Sequence, residues 1–178
     1  MRMLKEESGQ ALLELSAAFV ILVVFVLGIV DFGQAIYDTE VMKNLSGESS
    51  SLASRGTAPA TTAASTVTNA ASAVNLGSQG CVIVTVITNS GGTLQITDQA
   101  SQCAITATSK IGCLQGQSGC NSPTAVLPSA ASAALQSEVS GSSLYATEIF
   151  YNYTALTPIA SFLQGSALPT QLYSVAYY

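Results

Sequence analysis

The longest uniform pattern in the chain is an apolar run near its start. Leu12 to Val30 reads LLELSAAFVILVVFVLGIV, long enough to cross a bilayer core, for which roughly 20 residues suffice. Arg2 and Lys5 precede the run and Asp31 follows it; the basic side is expected to stay cytoplasmic, placing the rest of the chain outside. Past Gly33 the pattern turns amphipathic. Ile36, Val41, Leu45 and Leu52 fall loosely on one helical face, with Asp38, Glu40 and Lys43 on the wetter side. No Pro interrupts this stretch, so one helix is predicted to continue to about Ser54, roughly 70 Å in all at about 1.5 Å per residue. Arg55-Gly56-Thr57-Ala58-Pro59 reads as its stop.

Beyond the stop the periods shorten. Ala60 to Val74 (ATTAASTVTNAASAV) is low in complexity and fits either a flexible linker or a short helix with Val67, Ala71 and Val74 inward. Its alanines and lack of Gly or Pro favour the helix, which Leu76-Gly77-Ser78-Gln79-Gly80 then breaks. Cys81 to Thr88 is β-branched almost throughout and ends in Asn89-Ser90-Gly91-Gly92, a strand closed by a hairpin turn. Leu94 to Thr97 is its expected partner, Cys103 to Thr108 another short strand, and Gly112 to Pro123 a Gly-rich loop. Leu144 to Thr154 and Leu172 to Tyr178 are strand-like, joined through Pro158, an apolar piece (Ile159, Phe162, Leu163) and Pro169. Period-two alternation gives Ile149, Tyr151 and Tyr153 one face, and likewise Tyr173, Val175 and Tyr177. Two roles fit those tyrosines, a binding platform or packing of the sheet against the long helix with hydroxyls at the rim. Packing is the reading taken.

Composition narrows the function. Charged residues make up 8% of the 178, against about 25% in an ordinary soluble domain. Ser, Thr, Ala, Gln, Asn and Gly fill the surface positions instead, as suits a subunit that buries its exterior against copies. The formal charge of −5, with no basic cluster past the N-terminus, argues against nucleic-acid binding. There is no His, which removes the commonest general base and metal ligand. No nucleophile elbow, phosphate-binding loop or close carboxylate pair is present; Asp98, Glu138 and Glu148 read as isolated, solvated or locally bonded groups, and Lys110 alone is no mechanism. No catalytic residue, metal site or cofactor is expected.

One residue in the apolar run is out of place. Glu14 sits where an acidic side chain costs roughly 2.5–3.5 kcal/mol on insertion scales, and an ionisable residue there needs a partner. Gly9 precedes Gln10-Ala11-Leu12-Leu13-Glu14. If a prepilin peptidase cuts after Gly9, Gln10 becomes the N-terminus, and Gln10 and Glu14 share a helical face. The carboxylate then meets a cationic terminal amine, its own or a neighbour's, and sets the axial register of a filament. Two rivals remain: an uncleaved membrane anchor, and a secreted protein cut near Ala35, although signal-peptide apolar regions span only about 7–15 residues.

The segment Glu7-Ser8-Gly9-Gln10-Ala11-Leu12-Leu13-Glu14, the apolar run, and Gly28-Ile29-Val30-Asp31-Phe32-Gly33 together resemble the N-terminus of TadE-like proteins, the pseudopilins of tight-adherence (Flp-type) pilus systems. Glu148-Ile149-Phe150-Tyr151-Asn152-Tyr153-Thr154-Ala155-Leu156-Thr157-Pro158 is similar to that family's aromatic strand and following Pro. Val20 stands where many members have Pro, so the helix should run straighter, and Gln10 is bulkier and more polar than many first residues. The resemblance implies assembly with other pilin subunits on an inner-membrane platform, and methylation of the new amine by the peptidase.

Cys81, Cys103, Cys113 and Cys120 all fall on the expected outer side, where an even number favours two disulfides. A four-thiolate zinc site is the rival, but the chain has no C-x-x-C pair. Four cysteines allow three pairings; the pairing expected is Cys113–Cys120 closing the Gly-rich loop and Cys81–Cys103 clasping the first strand. Asn44-Leu45-Ser46 and Asn152-Tyr153-Thr154 fit the glycosylation sequon. The fold expected is α+β: a leader at 1–9, a long helix at 10–56 spanning the membrane over about 12–30, a connector at 57–80, and a disulfide-bearing antiparallel head at 81–178. The function expected is a pilin-like subunit, first in the inner membrane and then in an extracellular pilus. The alternative is an uncleaved envelope protein whose outer domain binds a partner.

Overall fold

The computed structural model of the chain describes residues 3–56, 59–71, 74–115, 120, 123–158 and 168–178, with side chains from Gly9 onward. It has the α+β architecture, a long apolar N-terminal helix followed by a four-stranded antiparallel sheet. Helix α1 runs Met3–Ser54, α2 Ala60–Ala70 and α3 Leu76–Gln79; strands β1 Gly80–Ser90 and β2 Thr93–Cys103 form a hairpin. Helix α4 Ser129–Ser137, strand β3 Ser143–Asn152 and strand β4 Gln171–Tyr177 complete the chain. By contacts the chain forms two compact units, Met1–Tyr37 with Thr154–Thr170, and Asp38–Tyr153 with Gln171–Tyr178.

In the larger unit the sheet order is β2-β1-β3-β4, all neighbours antiparallel. The β-branched run of β1 takes a central place because both its faces are covered, and Cys81 to Thr85 are all buried. Strand β2 is longer than its apolar pattern predicts, since it lies at the edge and buries only Leu94, Ile96 and Ala100. A bulge between Val86 and Ile87 shifts its register. Consequently Cys103 ends β2, and no strand forms over Cys103–Thr108; the chain leaves the sheet after Ala104 N–H donates to the Gly80 carbonyl at 2.9 Å. Leu76–Gln79, expected as a break, forms the short helix α3, whose buried Leu76 touches Gly80 so closely that a Cβ there would lie 2.5 Å from its side chain.

The two sheet faces are covered differently. Thr147, Ile149 and Tyr151 share one face with Val84, Val82 and, across β4, Ser174 and Leu172. Here the C-terminal part of α1 packs: Thr147 Oγ1 donates to Ser49 Oγ at 3.0 Å, and the Ser46 and Ser174 hydroxyls meet at 3.1 Å. On the opposite face Ile87, Leu94, Ile96, Ile111, Leu135 and Ala146 cluster, with Cys81, Ile83 and Phe150 nearby. Tyr173, Val175 and Tyr177 belong to this second face, in register with Phe150, Glu148 and Ala146. The expectation that these tyrosines pack against the long helix is therefore corrected. One-residue register differences send the two trios to opposite sides of the sheet.

The helical amphipathicity is also corrected. In the larger unit the buried stripe of α1 is Asp38, Met42, Ser46, Ser49, Ser50 and Ala53, at helical spacing. Asp38, expected on the wetter side, is buried, while Leu52 is exposed. Small hydroxyl side chains let the helix approach the strands closely and bond across the gap, so the contact face carries few large apolar residues. Ile159, Phe162 and Leu163, Arg2, and parts of the Gly-rich loop lie outside the described residues.

Candidate functional site

From Leu12 to Val30 the helix is continuous across Val20 and exposes its large apolar side chains on every side, among them Leu12, Leu15, Phe19, Ile21, Phe25 and Ile29. None of the most apolar window of this helix is buried within the chain. Apolar surface on that scale marks a membrane or protein interaction site. Within it Gln10 Nε2 donates to Glu14 Oε1 at 3.3 Å, and both side chains are exposed. Ser16, also exposed, bonds back to its own helix, donating to the Leu13 carbonyl at 2.8 Å. Gly9 lies within the same helix, and a Cβ there would meet nothing within 4 Å.

At the far end of the run Asp31 is fully buried, and Leu156 and Thr157 donate to it. The backbone N–H groups of Leu156 and Thr157 each reach Oδ1 at 3.1 Å, and the Thr157 hydroxyl bonds Oδ2. An apolar run followed by an aspartate signals a helix end or membrane edge, but gives no hint of a distant partner segment. The residues that bind Asp31 do fall within the Pro-containing stretch singled out in the sequence.

The larger unit holds a second buried carboxylate. Glu148, read from sequence as isolated and solvated or locally bonded, is fully buried. It accepts from the Ser109 hydroxyl, from Lys110 N–H at 2.8 Å and from the Tyr173 hydroxyl at 2.9 Å. Burial, then the Glu148 charge and its hydrogen bond, push the Tyr173 hydroxyl well above the ordinary tyrosine value. The Lys110 ammonium lies 3.7 Å from the Tyr173 ring centroid, a cation–π contact. Every oxygen of this carboxylate is engaged by the fold, so the cluster anchors the 109–112 loop to the sheet. A nearby cavity lined by Gln99, Ser101, Thr108 and Cys113 offers no free amide, because Gln99 Nε2 already donates to Thr85 Oγ1 at 3.0 Å and the Gly112 carbonyl at 3.1 Å. Among the described residues no group of three His, Cys, Asp or Glu could hold a metal ion.

The cysteines stand in two disulfide-distance pairs. Cys81 and Cys103 are register partners at the end of the β1–β2 hairpin, Cα atoms 3.9 Å apart. Cys113 and Cys120 have Sγ atoms 2.01 Å apart. Asn44 and Asn152 are both exposed, and Asn152 Oδ1 accepts from Gln171 Nε2 at 3.3 Å.

The combination that stands out is a glycine, then a carboxylate, on a long helix whose apolar surface the chain itself leaves bare. Residues 9–49 match the TadE-like protein family. The TadE-like segment thus holds Gly9, Gln10, Glu14, the apolar run and most of the Ser-lined contact stripe, whereas Glu148–Pro158 lies outside the matched residues. The match suggests a Tad pilus-related membrane protein anchored by its apolar helix, of a structural rather than enzymatic family. It also suggests interaction with other pilus components. No curated protein matches the chain. No solved structure matches it either.

Proposed function

We infer that this chain is a pilin-like subunit, major or minor, of a Tad-type pilus. A prepilin peptidase cuts it after Gly9, and it assembles through the helix that then begins at Gln10. The observation that carries the reading is Glu14, an exposed carboxylate within an exposed apolar helix surface, on the same face as Gln10. In lipid such a group is costly; beside the terminal amine of its own or a neighbouring subunit it is compensated. The bare surface of Leu12–Val30 serves twice, contacting lipid in the precursor and other helices in the filament core. The domain plan follows: a leader at 1–9, the assembly helix to about 56, the connector to 80, and a head at 81–178 facing outward, with methylation of the Gln10 amine and sugar on the sequons left to the same assay.

The test is intact mass with N-terminal sequence, on protein sheared from the cell surface and on protein from membranes. A chain beginning at Gln10 in the filaments is the expected result. A chain retaining Met1 and found only in membranes overturns the reading and leaves an anchored envelope protein.

A further inference from the structure

Asp31 reads in the sequence as the point where the apolar run meets water. Its burial changes that. With its carboxylate enclosed and accepting from Leu156 and Thr157, Asp31 contributes no charge to the surface, and the exposed apolar surface continues past it. Phe32, Ile36 and Tyr37 are exposed on the helix, Ile36 at 64%. The clasp adds Leu156, an apolar side chain 66% exposed and held at the level of Asp31. The next exposed charges along α1 are Glu40 and Lys43, paired at 2.7 Å.

The lengths fit a bilayer. Leu12 to Val30 rises roughly 28 Å at about 1.5 Å per residue, close to the hydrocarbon thickness of about 30 Å. Tilted by about 20°, as spanning helices commonly are, the helix needs roughly 21 residues to cross that core, so from Leu12 it leaves the hydrocarbon near Phe32 and reaches Tyr37 roughly 7 Å farther out, within one leaflet's headgroup depth of about 5–8 Å. Tyrosine is enriched at that level because its ring prefers the boundary and its hydroxyl prefers water.

We propose that Phe32, Ile36, Tyr37 and Leu156 form a collar that lies in the outer lipid headgroup region of the precursor, and that Asp31 is the positioning residue that brings Leu156 into it. The occupant is lipid because the collar is continuous with the span, and the inference rests on the membrane reading of that span. The segment after β3 is thereby a membrane-contacting element, and the polar boundary falls between Tyr37 and Glu40 instead of at Asp31.

The test uses the full chain in the membranes of cells unable to assemble filaments, with a membrane-impermeant maleimide applied from outside. Single cysteines replace Phe25, Ile36, Glu40 or Leu156 in turn, and the parent chain controls for the native cysteines. Cys at 36 and 156 is expected to label about tenfold slower than at 40, since the reactive thiolate forms poorly away from water, and to catch up once detergent is added. Adding Asp31→Ala should speed labelling at 156 and leave 36 protected. Rapid labelling at 36 and 156 with 25 protected overturns the collar and leaves the span standing. Rapid labelling at 25 as well overturns the membrane reading and the collar with it. Protection at 36 and 156 that persists once detergent is added assigns the surface to a protein partner and overturns the lipid assignment. No change at 156 on Asp31→Ala removes Asp31 from the account.

Discussion

Buried carboxylates do different work at the two ends of this protein, and each can be tested singly. Glu148 satisfies a hydroxyl of Ser109, the N–H of Lys110 and the hydroxyl of Tyr173. Glu148→Ala strands those donors, each worth about 1–3 kcal/mol when left unmade in the interior. Chemical unfolding of the detergent-solubilised protein should show a loss of about 2–4 kcal/mol; a loss below about 1 kcal/mol would mean that water replaces the carboxylate freely. The tyrosines carry a pH signature. Tyr151, Tyr173 and Tyr177 all have hydroxyls raised by burial first, Tyr173 and Tyr177 also by Glu148 and Tyr151 by Asp38. A raised folded value means that the unfolded chain loses these protons first, so the stability they represent is intact below about pH 10 and declines above it. An ultraviolet titration should show these tyrosinates appearing together with unfolding, and melting temperatures should fall steeply over the same alkaline range. Glu14 is the opposite kind of residue, exposed and bonded only along its own helix to Gln10 among the described residues, and the proposed function gives it a subunit's terminal amine. Glu14→Val is expected to leave membrane insertion intact and reduce surface filaments severely; normal piliation in that variant would remove its role in register.

The second half of α1 was legible as a helix ending near Ser54, but the face it turns to the sheet was not. The stripe Asp38, Met42, Ser46, Ser49, Ser50 and Ala53 faces the sheet with little hydrophobic contrast, so a search for apolar periodicity selects Ile36, Val41, Leu45 and Leu52 instead. The discriminating signal was size, not hydropathy: small residues recur where helix and strands come closest. Ser49→Leu should overpack that contact and cost about 1–3 kcal/mol, whereas Leu52→Ser on the exposed side should be close to neutral in the same unfolding measurement. The apolar helix, the β1 strand and the Gly91-Gly92 turn were legible because each carries a strong local rule. Strand β2 was half legible, since an edge strand with polar residues at alternate and bulged positions loses its period. Helix α4 left no clear mark. Part of its placement comes from Asn89, whose Nδ2 donates to the carbonyls of Leu135 and Glu138, both at 3.0 Å. Asn89→Ala should therefore raise hydrogen exchange throughout Ser129–Ser137 before the sheet itself loosens. Uniform protection in that helix would show that the apolar contact at Leu135 suffices.

At the scale of the whole chain, the bare apolar helix and the larger unit ask for different solvents, and both cysteine pairs lie in the larger unit. The Cys81–Cys103 pair closes a separation of 22 residues and Cys113–Cys120 one of 7. In the chain-entropy account, replacing the first pair by serines costs about 3 kcal/mol and replacing the second about 2, an order that melting of the two double variants under identical conditions would check. The meeting of Ser46 with Ser174, 128 residues apart, sets a timetable for synthesis. At about 5–20 residues per second, the ribosome needs on the order of ten seconds between making the helix face and making the strand that covers it. Throughout that wait the face, Met42 apart, is polar or small in its side chains, so water wets it and it is slow to stick to anything else before the last strand arrives.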